Sequence, residues 1–393
     1  MYKTYLEQLK FQRYTPIQQE SFLAFKSGRS LVGIAPTGTG KTLAYGIPIM
    51  DSLKSTFQVL QVIIMLPTTE LIKQVEKMLT LVRPSITIKT VTGLDDMNKK
   101  SAQLINHPPH ILISTPKKLH ELMFEKQAIN TKHVKHVILD EADMMFDIDF
   151  MQDISQLSER VLNARFYLYS ASLKPTMKPF IKKFFGAYKL IDTSHKHTLP
   201  INYVFVETHH ELRMETLVDV IKSITPYLGI IFVSNKGTLE TLHAYLSNQG
   251  IDIPMISSKQ QLRKRFQLMK KMEALDVSWV LSTDVLARGI DLDISHVIHY
   301  DLPRPLSLFM HRSGRTGRMD RSGHVITIYD RKDVVNIEKL IKQGIPFKKA
   351  SVQDGILIEK QKREKKAVTP SSIKKKKIKV KPNYKKKLRE GKK

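Results

Sequence analysis

The chain has no cysteine, a single tryptophan and no apolar run long enough to span a bilayer. Without cysteine there is no disulfide and no thiolate zinc site, so stability must come from packed cores, and a reducing compartment suits the composition. The fourteen histidines do not supply a substitute metal site. His195 with His197 and the pair His209-His210 fall in or near a connecting stretch and read as solvated loop. The opening residues Met1-Tyr2-Lys3-Thr4-Tyr5 lead into no apolar signal core, and stretches such as Val62 to Leu66 are far too short for a membrane helix. A cytoplasmic protein without a membrane anchor is expected.

Positive charge is in excess. The 393 residues carry 64 Lys or Arg against 37 Asp or Glu, a net charge of +27. From Glu359 to Lys393 there are 17 basic residues and 3 Glu, a net charge of +14 that leaves +13 for the rest. This tail has four consecutive lysines at 374 to 377 and few large apolar groups, so burial cannot offset its ordering entropy and disorder is expected. Lysine blocks of this density bind polyanions by releasing counterions, which points to nucleic acid; a merely solubilising extension is the alternative. Over the whole chain 41% of the residues are hydrophobic, ample for globular cores, and 393 residues should form two or three domains.

Short β-branched runs alternate with amphipathic helical patterns in the first half. Leu31 to Ile34, Val59 to Leu66, Ile86 to Val91, Ile111 to Ser114, Val134 to Asp140 and Phe166 to Ser170 read as strands. Leu71, Ile72, Val75, Met78, Leu79 and Val82 repeat at helical spacing between two of them. A second series runs from Ile201 through Gly229 to Val233, Ile253 to Ile256, Trp279 to Ser282, Val297 to Tyr300 and Val325 to Tyr329. Trp279 sits in a buried-strand pattern and is core. Both series predict parallel sheets covered on both faces, an α/β fold in two units. The polar stretch 192 to 200 shows no periodicity and is the linker candidate.

The strand Leu31 to Ile34 runs into Ala35-Pro36-Thr37-Gly38-Thr39-Gly40-Lys41-Thr42 and then a helical pattern, the order a phosphate-binding loop requires. Gly38 and Gly40 let backbone N–H groups approach phosphate oxygens, Lys41 reaches the terminal phosphates and the Thr42 hydroxyl suits Mg2+. Ala35 replaces the first glycine of the general pattern. Downstream, Asp140-Glu141-Ala142-Asp143 puts three carboxylates at the end of a buried strand, costly unless they are paired or hold a metal. Asp140 would hold Mg2+ through water, and Glu141 would orient and deprotonate an attacking water. A third block, His311-Arg312-Ser313-Gly314-Arg315-Thr316-Gly317-Arg318, would bring arginine fingers from the second unit to a triphosphate; a loop on a basic surface is the alternative.

Together these motifs resemble the DEAD-box RNA helicases, along nearly the whole chain before the tail. Phe11 with Thr15-Pro16-Ile17-Gln18 is similar to the family's adenine-reading Q motif. Ser170-Ala171-Ser172, Ile231-Phe232-Val233-Ser234-Asn235 and Thr283-Asp284-Val285-Leu286-Ala287-Arg288-Gly289-Ile290-Asp291 follow in the family's order. The resemblance implies two tandem RecA-like domains, over 21–193 and 201–350, with a Q-motif region before them, a linker over 194–200 and a basic tail over 351–393. It implies that Phe11, Thr15 and Gln18 read the adenine of ATP and that Gly289 and Asp291 touch the nucleotide from the second domain. Asp143, Ser170, Ser172 and His311 would couple the domains, and Lys41, Glu141, Arg315 and Arg318 would catalyse hydrolysis. Pro67, Thr68, Gly93, Thr115, Pro116, Lys117, Lys118, Arg265, Thr283 and Asp284 would line RNA.

The RNA side departs from the family. Thr69 stands where an arginine is usual, Leu94 replaces a second glycine, Lys117 and Lys118 replace glycine and arginine, Ser257-Ser258 replace His-Gly, and Leu262 replaces a glutamine. Ser172 replaces a threonine but keeps the hydroxyl. Lysine attracts phosphate without the bidentate geometry of arginine, so a looser, more electrostatic grip is expected. The expected function is local unwinding of RNA or remodelling of RNA–protein complexes with ATP and Mg2+; an RNA clamp that seldom unwinds and a non-catalytic scaffold are the alternatives. A monomeric bacterial enzyme is expected, acting on ribosomal precursors or in mRNA turnover.

Overall fold

The computed structural model describes residues 3–9, 12–146, 148–161, 163–194, 200–257, 260–283, 292, 294–306, 308–317 and 322–359. The first sheet contains β1 Ser30–Ile34, β2 Val62–Met65, β3 Ile88–Val91, β4 Ile111–Ser114, β5 His136–Asp140, β6 Arg165–Ser170 and β7 Tyr188–Asp192. Their order is β3-β4-β2-β5-β6-β1-β7, and all six pairings are parallel. The second sheet contains β8 Ile201–Glu207, β9 Gly229–Phe232, β10 Met255–Ile256, β11 Trp279–Ser282, β12 His296–His299, β13 Gly323–Tyr329, β14 Lys349–Gln353 and β15 Ile356–Glu359. Its order is β10-β11-β9-β12-β13-β8-β14-β15, antiparallel only at the last pair.

Strand periodicity explains the layers. In β5, Ile138 packs into one core of the first sheet while Val137 and Leu139 pack into the other, because successive side chains point to opposite faces. Helices on both faces leave β2 and β4 buried at every position, which is why these strands are continuous apolar runs. The helix Thr69–Val82 buries Leu71, Ile72, Val75, Leu79 and Val82, following the spacing read from the sequence. Each fully buried side chain such as Ile72 or Leu79 contributes about 1.5–3 kcal/mol through its removal from water.

Two edges differ from the expectation. β7 was not predicted: only Ile191 of its five residues is buried, so the strand has no clear alternation and forms by pairing with β1. β14 and β15 extend the second sheet past the expected boundary at 350, to Glu359. They turn at Asp354-Gly355, both with positive φ, a hairpin signal flanked by too few buried apolar residues to show as a strand pattern. Residues 195–199 of the expected linker and 360–393 of the expected tail lie outside the described residues. Among the described residues no helix is long and apolar enough to cross a membrane.

Candidate functional site

The C-terminal ends of β1, β5 and β6 meet at one edge of the first sheet. After β1 the chain turns through Gly38 and Gly40 at φ 83° and 82° and enters the helix Lys41–Ser52. Gly40 is needed twice over: its φ is left-handed, and a Cβ there would meet Gln18 Nε2 at 2.3 Å. Gln18 Nε2 donates to the Gly40 carbonyl at 3.1 Å, and Thr15 Oγ1 donates to the Thr39 carbonyl at 2.8 Å. The residues expected to read adenine therefore also brace the loop. Thr39 Oγ1 donates to the Pro36 carbonyl at 2.7 Å, and Lys41 Nζ to that of Ala35 at 3.1 Å. The lysine is 5% exposed and lies 3.7 Å from Glu141 Oε1. Left-handed glycines followed by a helix N-terminus make an anion-binding cradle.

β5 ends on Asp140, which is buried. Its Oδ1 accepts from the Glu141 N–H at 2.9 Å, and its Oδ2 accepts from the Tyr45 hydroxyl at 2.8 Å, with Thr42 Oγ1 at 3.4 Å. Burial first, then the neighbouring Glu141 charge, pushes the Asp140 carboxyl up to about 6, against the opposing pull of Lys41 and Tyr45. Glu141 itself holds a left-handed backbone, φ 52° and ψ 45°, uncommon for a residue with a Cβ. Among the described residues its Oε2 and Asp143 Oδ1 are buried without a hydrogen-bond partner. Orphaned acceptors beside a buried carboxylate and a hydroxyl suit a hydrated cation. Among the described residues no three His, Cys, Asp or Glu converge, so a cage of protein ligands alone is absent there. Mg2+ fits such a site, since it binds through one or two carboxylates with substrate phosphates and water.

The second sheet reaches this edge through the helix Leu308–Ser313. His311 Nε2 donates to Asp143 Oδ2 at 2.8 Å, with both side chains buried. Burial alone would raise the Asp143 carboxyl, but the His311 hydrogen bond and charge, with Ser170 and Lys41, outweigh it and hold it at about 2. The Ser170 hydroxyl accepts from the Asp143 N–H at 3.1 Å, and Ser172 Oγ reaches Asp143 Oδ2 at 3.5 Å. Lys174 Nζ donates to the Asp143 carbonyl. Gly314 packs on the phosphate loop so closely that a Cβ would meet Thr37 Oγ1 at 2.7 Å. Arg315 is 4% exposed, and its Nε donates to the His311 carbonyl at 3.1 Å. Arg312 belongs to the core instead: fully buried, it lies 5.4 Å from the Phe232 ring and donates to the Asp301 carbonyl at 3.1 Å. Phe11, Asp284, Gly289, Asp291 and Arg318 lie outside the described residues.

The expected RNA side of the first sheet is one rim, because β3, β4 and β2 are neighbours and their C-terminal ends lie side by side. Pro67 and Thr68, Gly93, and Thr115 to Lys118 follow these ends. Thr68 and Thr115 accept from Leu71 N and Lys118 N, each at 3.4 Å. The rim has less positive charge to offer than its sequence suggests. Lys118 pairs with Glu121 at 2.7 Å, Asp95 accepts from the Thr92 N–H and hydroxyl at 2.8 Å each, and Asp96 caps the helix Met97–Asn106. Lys117 is exposed, while Leu94 presents an apolar side chain that is 53% exposed. In the second sheet, Thr283 and Ser257 are buried, and Ser258 lies outside the described residues.

Arg265, expected to line RNA, has a carboxylate partner. Its guanidinium pairs with Glu70, and both side chains are buried between the two sheets' elements. Sequence reasoning missed Glu70, Tyr45 and Lys174. Only Tyr45 had a local signal: it lies three residues after Thr42, so both fall on one face of the same helix.

Comparison with known proteins places these features in context. A DEAD/DEAH box helicase model matches residues 15–180, and a helicase conserved C-terminal domain model matches residues 212–320. The chain is 32% identical to the Bacillus subtilis DEAD-box ATP-dependent RNA helicase CshB, covering 98% of this chain and 91% of that one. It is 27% identical to Geobacillus kaustophilus CshA, over 90% and 77% of the two chains. Among solved structures, S. cerevisiae Dbp5 bound to RNA and ADP BeF3 superposes with a TM-score of 0.79 at 23% identity, over 89% of this chain and 93% of that one. Mss116p bound to ssRNA and AMP-PNP gives 0.78 at 23% identity, over 88% and 76%. Both share the tandem RecA-like fold.

Proposed function

Because this chain belongs to the DEAD-box RNA helicases, and is therefore an RNA-dependent ATP-hydrolysing enzyme, we propose that it closes its two RecA-like domains over ATP and single-stranded RNA to separate short duplexes locally. The observation that carries this reading is the bonded path from the carboxylate cluster to the second domain. His311 holds Asp143, and Gly314 packs on Thr37. Closure would thereby be sensed at the phosphate loop and the acidic cluster together.

In this reading the loop 35–42 cradles the phosphates, Gln18 and Thr15 set the base side, and Lys41 sits at the terminal phosphate. Mg2+, held by Thr42 and Asp140, would neutralise charge on the phosphate oxygens. Glu141 takes the proton of the attacking water, and Arg315, with Arg318, stabilises charge on the transferring phosphoryl group. Asp143, Ser170, Ser172 and His311 make hydrolysis depend on closure. Glu70–Arg265 is a second tie between the domains. Stacking is worth about 1.4 kcal/mol per base-pair step by DNA values, so melting a few pairs is within reach of one closure.

A strand-displacement assay on a short RNA duplex tests this. ATP-dependent release of the strand is expected. RNA-stimulated hydrolysis without release would instead favour the clamp, and absence of any hydrolysis would favour the scaffold. The Glu141 carboxylate beside Lys41 weighs against the scaffold, since binding alone requires no base.

The depleted charge on the rim supports a further part of the proposal, that the basic tail tethers RNA and raises its local concentration. A chain ending at Glu359, where β15 closes the second sheet, should show a higher KM for RNA in the ATPase assay. It should also show a shallower dependence of log KM on log salt, since each lost phosphate contact removes about 0.7–0.9 from the slope. Identical KM and slope in the shortened and intact chains would exclude the tether. Action on ribosomal precursors or in mRNA turnover, as a monomer, completes the proposal; crosslinking to RNA in cells would identify the targets.

A further inference from the structure

Tyr45 is fully buried on the helix Lys41–Ser52, one turn past the phosphate-binding lysine. Its ring lies 5.3 Å from that of Tyr169, and a phenylalanine would fill the same space without bringing a polar atom that needs a partner. The hydroxyl is used on the acidic cluster, donating to Asp140 Oδ2 at 2.8 Å. Thr42 Oγ1 approaches the same oxygen at 3.4 Å, and the Glu141 N–H takes Oδ1 at 2.9 Å. With one short donor on each oxygen, neither rotation about the carboxyl bond nor a change of rotamer can occur without breaking a buried hydrogen bond.

We propose that Tyr45 is a positioning residue that fixes the orientation of the Asp140 carboxylate for Mg2+. The role rests on the reading of Asp140 as a metal-binding residue given above. Donors around a metal-binding carboxylate set its orientation, and their loss weakens metal binding by about 10–100-fold. The effect should fall hardest on Mg2+, which demands near-ideal octahedral geometry, and less on the larger Ca2+, which tolerates irregular coordination. Tyr45 thereby contributes to ion selectivity as well as affinity, without touching the nucleotide.

The test uses the full-length protein and the binding of a fluorescent ATP analogue, followed during Mg2+ and Ca2+ titrations and in EDTA. For Tyr45→Phe the half-saturating Mg2+ concentration should rise about 10–100-fold and the Ca2+ midpoint by less, while the affinity measured in EDTA stays at the wild-type value. An unchanged EDTA affinity also reports that the nucleotide site is folded. Asp140→Asn serves as the control for the underlying reading. If Asp140→Asn shifts the Mg2+ midpoint and Tyr45→Phe does not, the positioning role is wrong and the metal reading stands. If Asp140→Asn leaves the midpoint unmoved, Asp140 is not the metal-binding residue and the role of Tyr45 falls with it. A Tyr45→Phe variant that loses affinity equally in EDTA and in Mg2+ would make the tyrosine structural.

Discussion

Glu141→Gln will bind ATP and RNA as the parent does and hydrolyse ATP about 10²–10⁴-fold more slowly, the usual contribution of a positioned general base. The amide has the shape of the carboxylate but cannot take a proton. Two features locate the effect at this residue. Among the described residues Oε2 is buried with no hydrogen-bond partner, leaving an acceptor for a reacting water, and Oε1 lies 3.7 Å from Lys41 Nζ. Single-turnover hydrolysis with equilibrium binding measured alongside separates the two properties. Wild-type turnover in this variant would remove Glu141 from the chemistry, and a parallel loss of ATP binding would make it a binding residue.

Arg315→Ala should reduce RNA-stimulated turnover about 10³–10⁵-fold, the range seen when an arginine finger is removed from a phosphoryl-transfer site. Arg315→Lys should recover little of this, because an ammonium lacks the planar fork of donors. The position of the residue supports the magnitude: Arg315 is 4% exposed, and the loop that carries it packs on Thr37 through Gly314. ATP affinity should change far less than turnover, since the phosphate loop belongs to the first domain. The measurement is kcat at saturating RNA, with nucleotide affinity in parallel. A loss below about tenfold would move the finger role away from Arg315, with Arg318 the next residue to replace.

The bonding around these residues divides into what local pattern specifies and what it does not. The phosphate loop was readable because its function depends on backbone shape, and shape there follows from Gly38, Gly40 and the strand and helix that flank them. The helix Thr69–Val82 was readable because its apolar positions repeat at helical spacing. β7 and the β14–β15 hairpin were not, since edge strands bury few side chains and draw their order from neighbours remote in sequence. The arginine block gave a charge pattern without directions. Arg312 and Arg315 are three residues apart, yet one is core under Phe232 and the other lies at the interdomain edge.

Composition and local order by themselves determined two parallel α/β units, a phosphate-binding loop, a carboxylate cluster and a strongly basic end. These depend on short-range periodicity and on residue chemistry that acts over a few positions. Only the tertiary structure decided partners: His311 for Asp143, Glu70 for Arg265, and Tyr45 for Asp140. A charged side chain looks much the same in sequence whether it meets a phosphate, a carboxylate or water. Which of these it meets is set by the order of the strands that carry it and by how completely its surroundings exclude solvent.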